Sequence, residues 1–217
     1  MKLYIYDHCP FCARVAYIAQ SLGLNIELVS VDYDDAQTLI DLIGKKMVPV
    51  LQIDDGSIMA ESLDIIAYFM DLKSNDEQRE PSEQATLFQS RAFPLTQQIG
   101  RPRWWNLDLA EYRSAGAKEA WRVSKETEGF NFEELLEKTP QYVQLINPLL
   151  KDAELLLELE NGESSLPLID QALYFSMLRG FYVEPSIEWP PELDHWMERK
   201  SKELGVGGCL NRLKTEA

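Results

Sequence analysis

The stretch DHCPFC, residues 7–12, decides how this chain is read. Two cysteines stand two residues apart, directly after the run KLYIY (2–6) and at the head of CARVAYIAQSLG (12–23). The first run has the composition of a strand. The second carries Val15, Ile18, Ala19 and Leu22 at helical spacing, with Gly23 as its stop. The pair therefore falls between a strand and a helix. If the helix begins near Pro10, Cys9 stands at its N-terminal edge, and proline suits that turn because its missing N–H is not needed there. Free N–H groups and the positive end of the helix dipole then favour a thiolate, the species that attacks disulfides. On this reading Cys9 is an exposed nucleophile and Cys12, one turn further in, is the resolving thiol. Two other readings stay open. A zinc site needs four ligands, and beyond the pair the chain has only Cys209, His8 and His195 of the right types. Cysteines also serve simply as small buried apolar residues.

Working outward, IELVSVD (26–32) predicts a second strand and residues 35–43 a helix stopped by Gly44. VPVLQI (48–53) predicts a third strand, DDG (54–56) a turn and SIM (57–59) a short fourth strand. ESLDIIAYFMDLK (61–73) is apolar on most sides, so a helix is expected there, packed between the sheet and another part of the chain. SNDEQREPSEQ (74–84) has almost no apolar residues and reads as a linker. Residues 85–217 are helical in character, as in 110–126, 140–160 and 168–183, and the strand pattern fades. The expectation is an α/β domain over 1–73 and an all-α domain over 85–217.

Composition limits function. The formal net charge is −15, which argues against nucleic acid because phosphates would be repelled. No apolar run approaches the roughly 18 residues that a membrane helix needs. Three cysteines make no disulfide framework and suit a reducing compartment. MKLYIY is too short for a signal peptide, so a cytoplasmic location is expected.

CPFC after a first strand resembles the glutaredoxin and thioredoxin superfamily, with Phe11 where a tyrosine is more often found. The resemblance implies a thioredoxin-like fold with a four-stranded mixed sheet. It also implies a cis peptide at Val48-Pro49, turning the Val48 backbone toward a bound peptide; without it, a trans proline at a strand end would be expected. In glutathione-binding members an acidic or amide residue followed by serine grips the γ-glutamyl end. In MAESLDI (59–65), Glu61 would then meet the ammonium and Ser62 the carboxylate. Pro10 and Phe11 would border the same ligand. An anionic ligand on so acidic a chain needs local donors: helix N-termini, with Lys45, Lys46 or Arg14. Lys45 and Lys46 equally suit a solvated loop.

A helical domain added to a CPFC domain in about 215 residues resembles the bacterial glutaredoxin-2 family, and IEWP (187–190) fits its C-terminal half. The family implies a glutathione-dependent thiol-disulfide oxidoreductase with no metal. It implies disulfide-containing or glutathionylated proteins as substrates, with glutathione reductase and NADPH behind the glutathione pool. A monomer is expected from the apolar helix at 61–73. The rival readings are a glutathione transferase or lyase acting on small electrophiles, and a binding protein that keeps the fold without catalysis.

Other residues are expected to do less. RPRWW (101–105) mixes basic and aromatic residues, but Pro102 is expected to break a helix and the tryptophans to fill a domain interface. His8 either tunes Cys9 or is a partly exposed neighbour. His195 is expected at the surface, Asp170 in a structural role at a helix start, and Cys209 without a partner.

Overall fold

The alternation of KLYI in β1 (Lys2–Ile5) puts Leu3 and Ile5 inside, and the rest of the sheet is built on that strand. The protein is described by a computed structural model covering residues 1–206; Cys209 lies outside the described residues. β1 pairs in parallel with β2 (Glu27–Ser30) and antiparallel with β3 (Val50–Gln52). β3 pairs antiparallel with β4 (Ile58–Ala60), giving the order β2-β1-β3-β4. Leu3 stands opposite both Leu28 and Leu51. A parallel pair requires a crossover, and α1 (Pro10–Ser21) supplies it. α2 (Gln37–Ile43) ends at Gly44, whose φ of 75° is a left-handed cap suited to glycine. α3 (Ser62–Leu72) closes this α/β unit.

The helical part opens with α4 (Glu83–Trp104), capped by the Ser82 hydroxyl, which accepts from Ala85 N at 3.1 Å. The helix thus begins within the stretch expected as linker. α5 (Ala115–Lys125), α6 (Phe132–Glu137), α7 (Thr139–Leu156), α8 (Leu168–Leu178) and α9 (Pro191–Leu204) follow. The segment expected as one helix over 110–126 is a 3-10 turn (Ala110–Tyr112) followed by α5, because Ser114 caps the second piece through Ala117 N. Two short strands, β5 (Leu159–Glu160) and β6 (Glu163–Ser164), form a hairpin that the sequence reading did not anticipate. Asp170 is buried, and its carboxylate accepts from Ser82 N at 2.9 Å, joining α8 to the start of α4. His195 is exposed, as expected.

Two expectations are corrected. The helix between the two layers is α1, not α3. α1 has Pro10, Cys12, Val15, Ala16, Tyr17, Ile18 and Ala19 all buried, with α3 on one flank and α8 on the other. On the α8 flank the Tyr17 ring lies 5.1 Å from Phe175, and its hydroxyl donates to Gln171 at 3.1 Å. α3 instead leaves Asp71 and Leu72 in solvent; its outer apolar residues were counted as buried when only Ile65, Ile66, Phe69 and Met70 are. Nor does Pro102 break a helix: it lies inside the last turn of α4. There it costs one bond, the N–H that would donate to Gln98 O, while Arg103 Nη1 donates to Ile99 O at 3.0 Å.

α4 carries the contact between the layers through Trp104, which is fully buried and 5.4 Å from the His8 ring. A Cβ at Gly100 would fall 2.0 Å from the Trp104 ring. Gly100→Ala is therefore expected to cost about 1–3 kcal/mol by overpacking. Urea unfolding would show it as a lower midpoint at unchanged slope.

Candidate active site

The site begins where β1 ends. Cys9 is the residue before α1, with extended φ and ψ of −71° and 121°, and Pro10 occupies the first helical position. The Cys12 thiol and the N–H groups of Phe11 and Cys12 lie beside its sulfur and favour the thiolate. Cys9 is only 8% exposed rather than the open nucleophile expected. The Cys12 bond is the largest influence on the Cys9 thiol. With the backbone donors and the His8 charge it overcomes burial and pulls the thiol down to about 6. Cys12 is 2% exposed. Its thiol is pushed well above the ordinary value, first by burial and then by its bond to Cys9 and the Cys9 charge.

Arg14, on the next turn of α1, is buried between three elements. Its Nε donates to Ser62 Oγ at 3.0 Å, with Nη2 on the same oxygen, and Nη1 donates to Gln89 of α4 at 3.0 Å. The guanidinium also lies 4.8 Å from the centre of the Phe11 ring, which packs on Phe93 at 5.5 Å. Burial lowers the Arg14 pKa to about 10, against the pull of the two cysteines, so it stays a cation in the working range. Because Arg14 fills the lone pairs of the Ser62 oxygen, the Ser62 O–H is left to donate.

Ser62 is the first residue of α3, and Glu61 before it has a φ of 66°. The Glu61 carboxylate is exposed and lies 3.7 Å from Lys45 Nζ. The Val48-Pro49 peptide is cis, as the resemblance implied, with Pro49 buried and Val48 half-buried at the head of β3. Lys46 turns away from Glu61. Its Nζ donates to Tyr33 O at 2.5 Å and sits 3.9 Å from the Tyr33 ring centre.

Sequence reading missed the wall behind Cys9. His8, read either as tuning Cys9 or as a partly exposed neighbour, has Tyr6, Tyr33, Trp104, Tyr112 and Trp121 around it, with ring centres 4.7–6.3 Å away. Glu111 Oε1 accepts from His8 N at 2.9 Å and lies 2.8 Å from Nδ1. Trp104 and Trp121 belong to this wall, in line with an interface role for the RPRWW tryptophans, while Trp105 packs under Arg122. Lys125 and Arg101 flank the same wall, over Trp121 and Phe130. With Lys46 they form no ion pair among the described residues, although the chain is strongly acidic. Long sequence separation hides all these contacts; the aromatic density of 101–121 was the one available signal. Among the described residues no three His, Cys, Asp or Glu side chains are grouped to hold a metal ion, and no helix is long and apolar enough to cross a membrane.

The depressed Cys9 thiol has a direct consequence. Its thiolate fraction grows as pH rises through about 6, whereas an ordinary thiol ionises near about 8.5. Iodoacetamide alkylation of the reduced protein should therefore rise with a midpoint near 6. Cys12→Ala should move that midpoint upward, because the largest stabiliser of the Cys9 thiolate is gone.

Comparison with known proteins agrees with this geometry. Residues 85–207 match the family model of the glutaredoxin 2 C-terminal domain, and residues 3–78 that of the glutathione S-transferase N-terminal domain. Glutaredoxin 2 of Escherichia coli (strain K12) is 28% identical over 209 residues, covering 95% of this chain and 96% of that protein. The crystal structure of glutaredoxin 2 from Salmonella typhimurium in complex with glutathione superposes with a TM-score of 0.86 at 26% identity, over 94% of each chain. A glutathione transferase from Phanerochaete chrysosporium shares the fold at 17% identity, with a TM-score of 0.63 over 96% of this chain and 92% of its own. The strand, the CPFC helix, the cis-proline and the helical half thus have one common explanation: the chain belongs to the glutaredoxin 2 family.

Proposed function

We propose that Cys9 is the nucleophile and Cys12 the resolving thiol of this chain, a glutathione-dependent thiol oxidoreductase. The observation that carries the reading is the Cys9 sulfur on the N-terminus of α1, held by N–H donors and the Cys12 thiol. In the first step the Cys9 thiolate attacks the glutathionyl sulfur of a mixed disulfide. A Cys9–glutathione disulfide forms, and the substrate sulfur leaves as a thiolate that takes a proton from solvent. A second glutathione thiolate then attacks the glutathionyl sulfur, giving oxidised glutathione and regenerating the Cys9 thiolate. With a protein disulfide, Cys12 attacks Cys9 instead. The substrate leaves as a dithiol, and two glutathiones reduce the Cys9–Cys12 disulfide.

The glutathione reading draws on the ends of two helices and on the cis-proline. Ser62 at the start of α3 has its O–H and the nearby backbone N–H groups available for the γ-glutamyl carboxylate. Glu61, engaged only by the exposed Lys45 at 3.7 Å, can exchange that partner for the ligand's ammonium. Pro10, Phe11 and the Val48-Pro49 segment border the sulfur end. Lys46, tied to Tyr33, serves the far carboxylate by its charge. The binding energy is local, because the net charge of −15 repels an anion at long range. The proposed partners are glutathionylated or disulfide-containing proteins, with glutathione reductase and NADPH recharging the pool. The proposed setting is a monomer in the reducing cytoplasm.

A coupled assay with glutathione, glutathione reductase and NADPH on a small mixed disulfide tests the roles. Cys9→Ser is expected to abolish turnover, and full activity in that variant would remove Cys9 from the chemistry. Cys12→Ser should keep the mixed-disulfide reaction and lose protein-disulfide reduction. Ser62→Ala should raise the glutathione KM about tenfold or more, since a hydrogen bond to a charged group is worth about 1.5–3 kcal/mol.

A further inference from the structure

His8 and Glu111 form a buried pair that the chemistry above does not use. Glu111 is fully buried, with 0% exposure, in the 3-10 turn between α4 and α5. That turn is fastened to the α/β half by main-chain bonds. Tyr33 N donates to Glu111 O at 2.9 Å, and Ala110 N donates to the Asp7 carboxylate at 3.3 Å. One carboxylate oxygen of Glu111 then accepts from the His8 backbone N–H at 2.9 Å and lies 2.8 Å from the ring Nδ1. The Tyr112 hydroxyl, 2.9 Å from Nδ1, closes the ring edge. Burying a lone carboxylate costs several kcal/mol, so the arrangement requires a positive or donating partner, and the facing group is the imidazole. Burial pushes the Glu111 carboxyl up, but the bonds and charge of His8 outweigh it and leave it below its usual range.

We infer that Glu111 is a positioning residue for the thiol chemistry: it holds the His8 ring beside Cys9 with the proton on Nδ1, so that the helical half of the chain tunes a nucleophile carried by the α/β half. This rests on the reading of Cys9 as nucleophile. Glu111 acts through His8, which is among the groups that favour the Cys9 thiolate. The other groups facing His8 are Tyr6 and Tyr33 from the α/β half and Tyr112 from the turn; burial raises all three, so they stay neutral in the working range. Cys9 is faced by Cys12 and Arg14 of α1, by Tyr112 and by Lys125 of α5.

The test is alkylation of the reduced full-length protein across pH 4.5 to 9.5, with Cys9 followed by mass spectrometry. Glu111→Gln keeps the shape and removes the charge. It is expected to slow Cys9 alkylation at pH 6 by about fivefold, the loss of thiolate that a rise of one pKa unit causes at the wild-type midpoint. His8→Asn is expected to do the same, and the double variant no more than His8→Asn alone. An unchanged profile in Glu111→Gln, or fully additive losses in the double variant, would overturn the inference. A wild-type midpoint near that of a free thiol would instead remove Cys9 as the activated nucleophile, so the two failures are distinct. If Glu111→Gln does not fold, the nitrogen-15 spectrum of His8 in the reduced wild-type protein decides. A proton on Nδ1 supports the inference, and a bare Nδ1 refutes it.

Discussion

Everything at this site depends on one helix being buried along its length and open at its start. α1 is covered by α3 on one flank and by α8 on the other, which fixes its axis without any capping side chain at Cys9. The unsatisfied N–H groups of its first turn must find an acceptor. The N–H groups of Phe11 and Cys12, with the Cys12 thiol, favour a negative Cys9 sulfur, and this is why its thiol lies well below that of a free cysteine. A looser helix would leave the same groups to water, and the same two cysteines would be ordinary thiols.

The second constraint is charge. A chain with 36 acidic and 21 basic side chains has to bring an anionic tripeptide to an anionic sulfur. On the proposed reading it does so with cations held short of the acids that could neutralise them. Arg14 is spent on a serine hydroxyl and a glutamine rather than on a carboxylate. Lys46 rests on an aromatic face and a carbonyl, and Lys125 on Trp121. Aromatic faces hold a cation without cancelling it, so the local field at the cysteine pair remains positive inside an acidic surface.

The parts legible in the sequence were those encoded locally. CPFC between a β-rich run and a 3.6-residue apolar repeat placed the cysteine pair, and Gly44 and Ser62 marked helix ends that the structure keeps. The cis bond before Pro49 came from family resemblance, since proline alone favours trans. What failed was long-range or depended on which side of an element is covered. The apolar count of residues 61–73 did not reveal that α8 covers α1 instead of α3. Pro102 looked like a breaker because its position in the last turn of α4 could not be read from composition. His8 and Glu111 are 103 residues apart, and nothing near either predicts the other.

The opposite shifts of the two thiols also account for the order of events. While Cys9 is reduced, the Cys12 proton is bonded to its sulfur, and the Cys9 charge raises Cys12 further. Cys12 is therefore unable to compete for the substrate. Once Cys9 is joined to glutathione or a protein, that charge and that acceptor are gone together. Burial then remains as the main force holding the Cys12 proton, while the N-terminal field of α1 now acts on the inner sulfur. One helix end thus serves the first thiol and then the second.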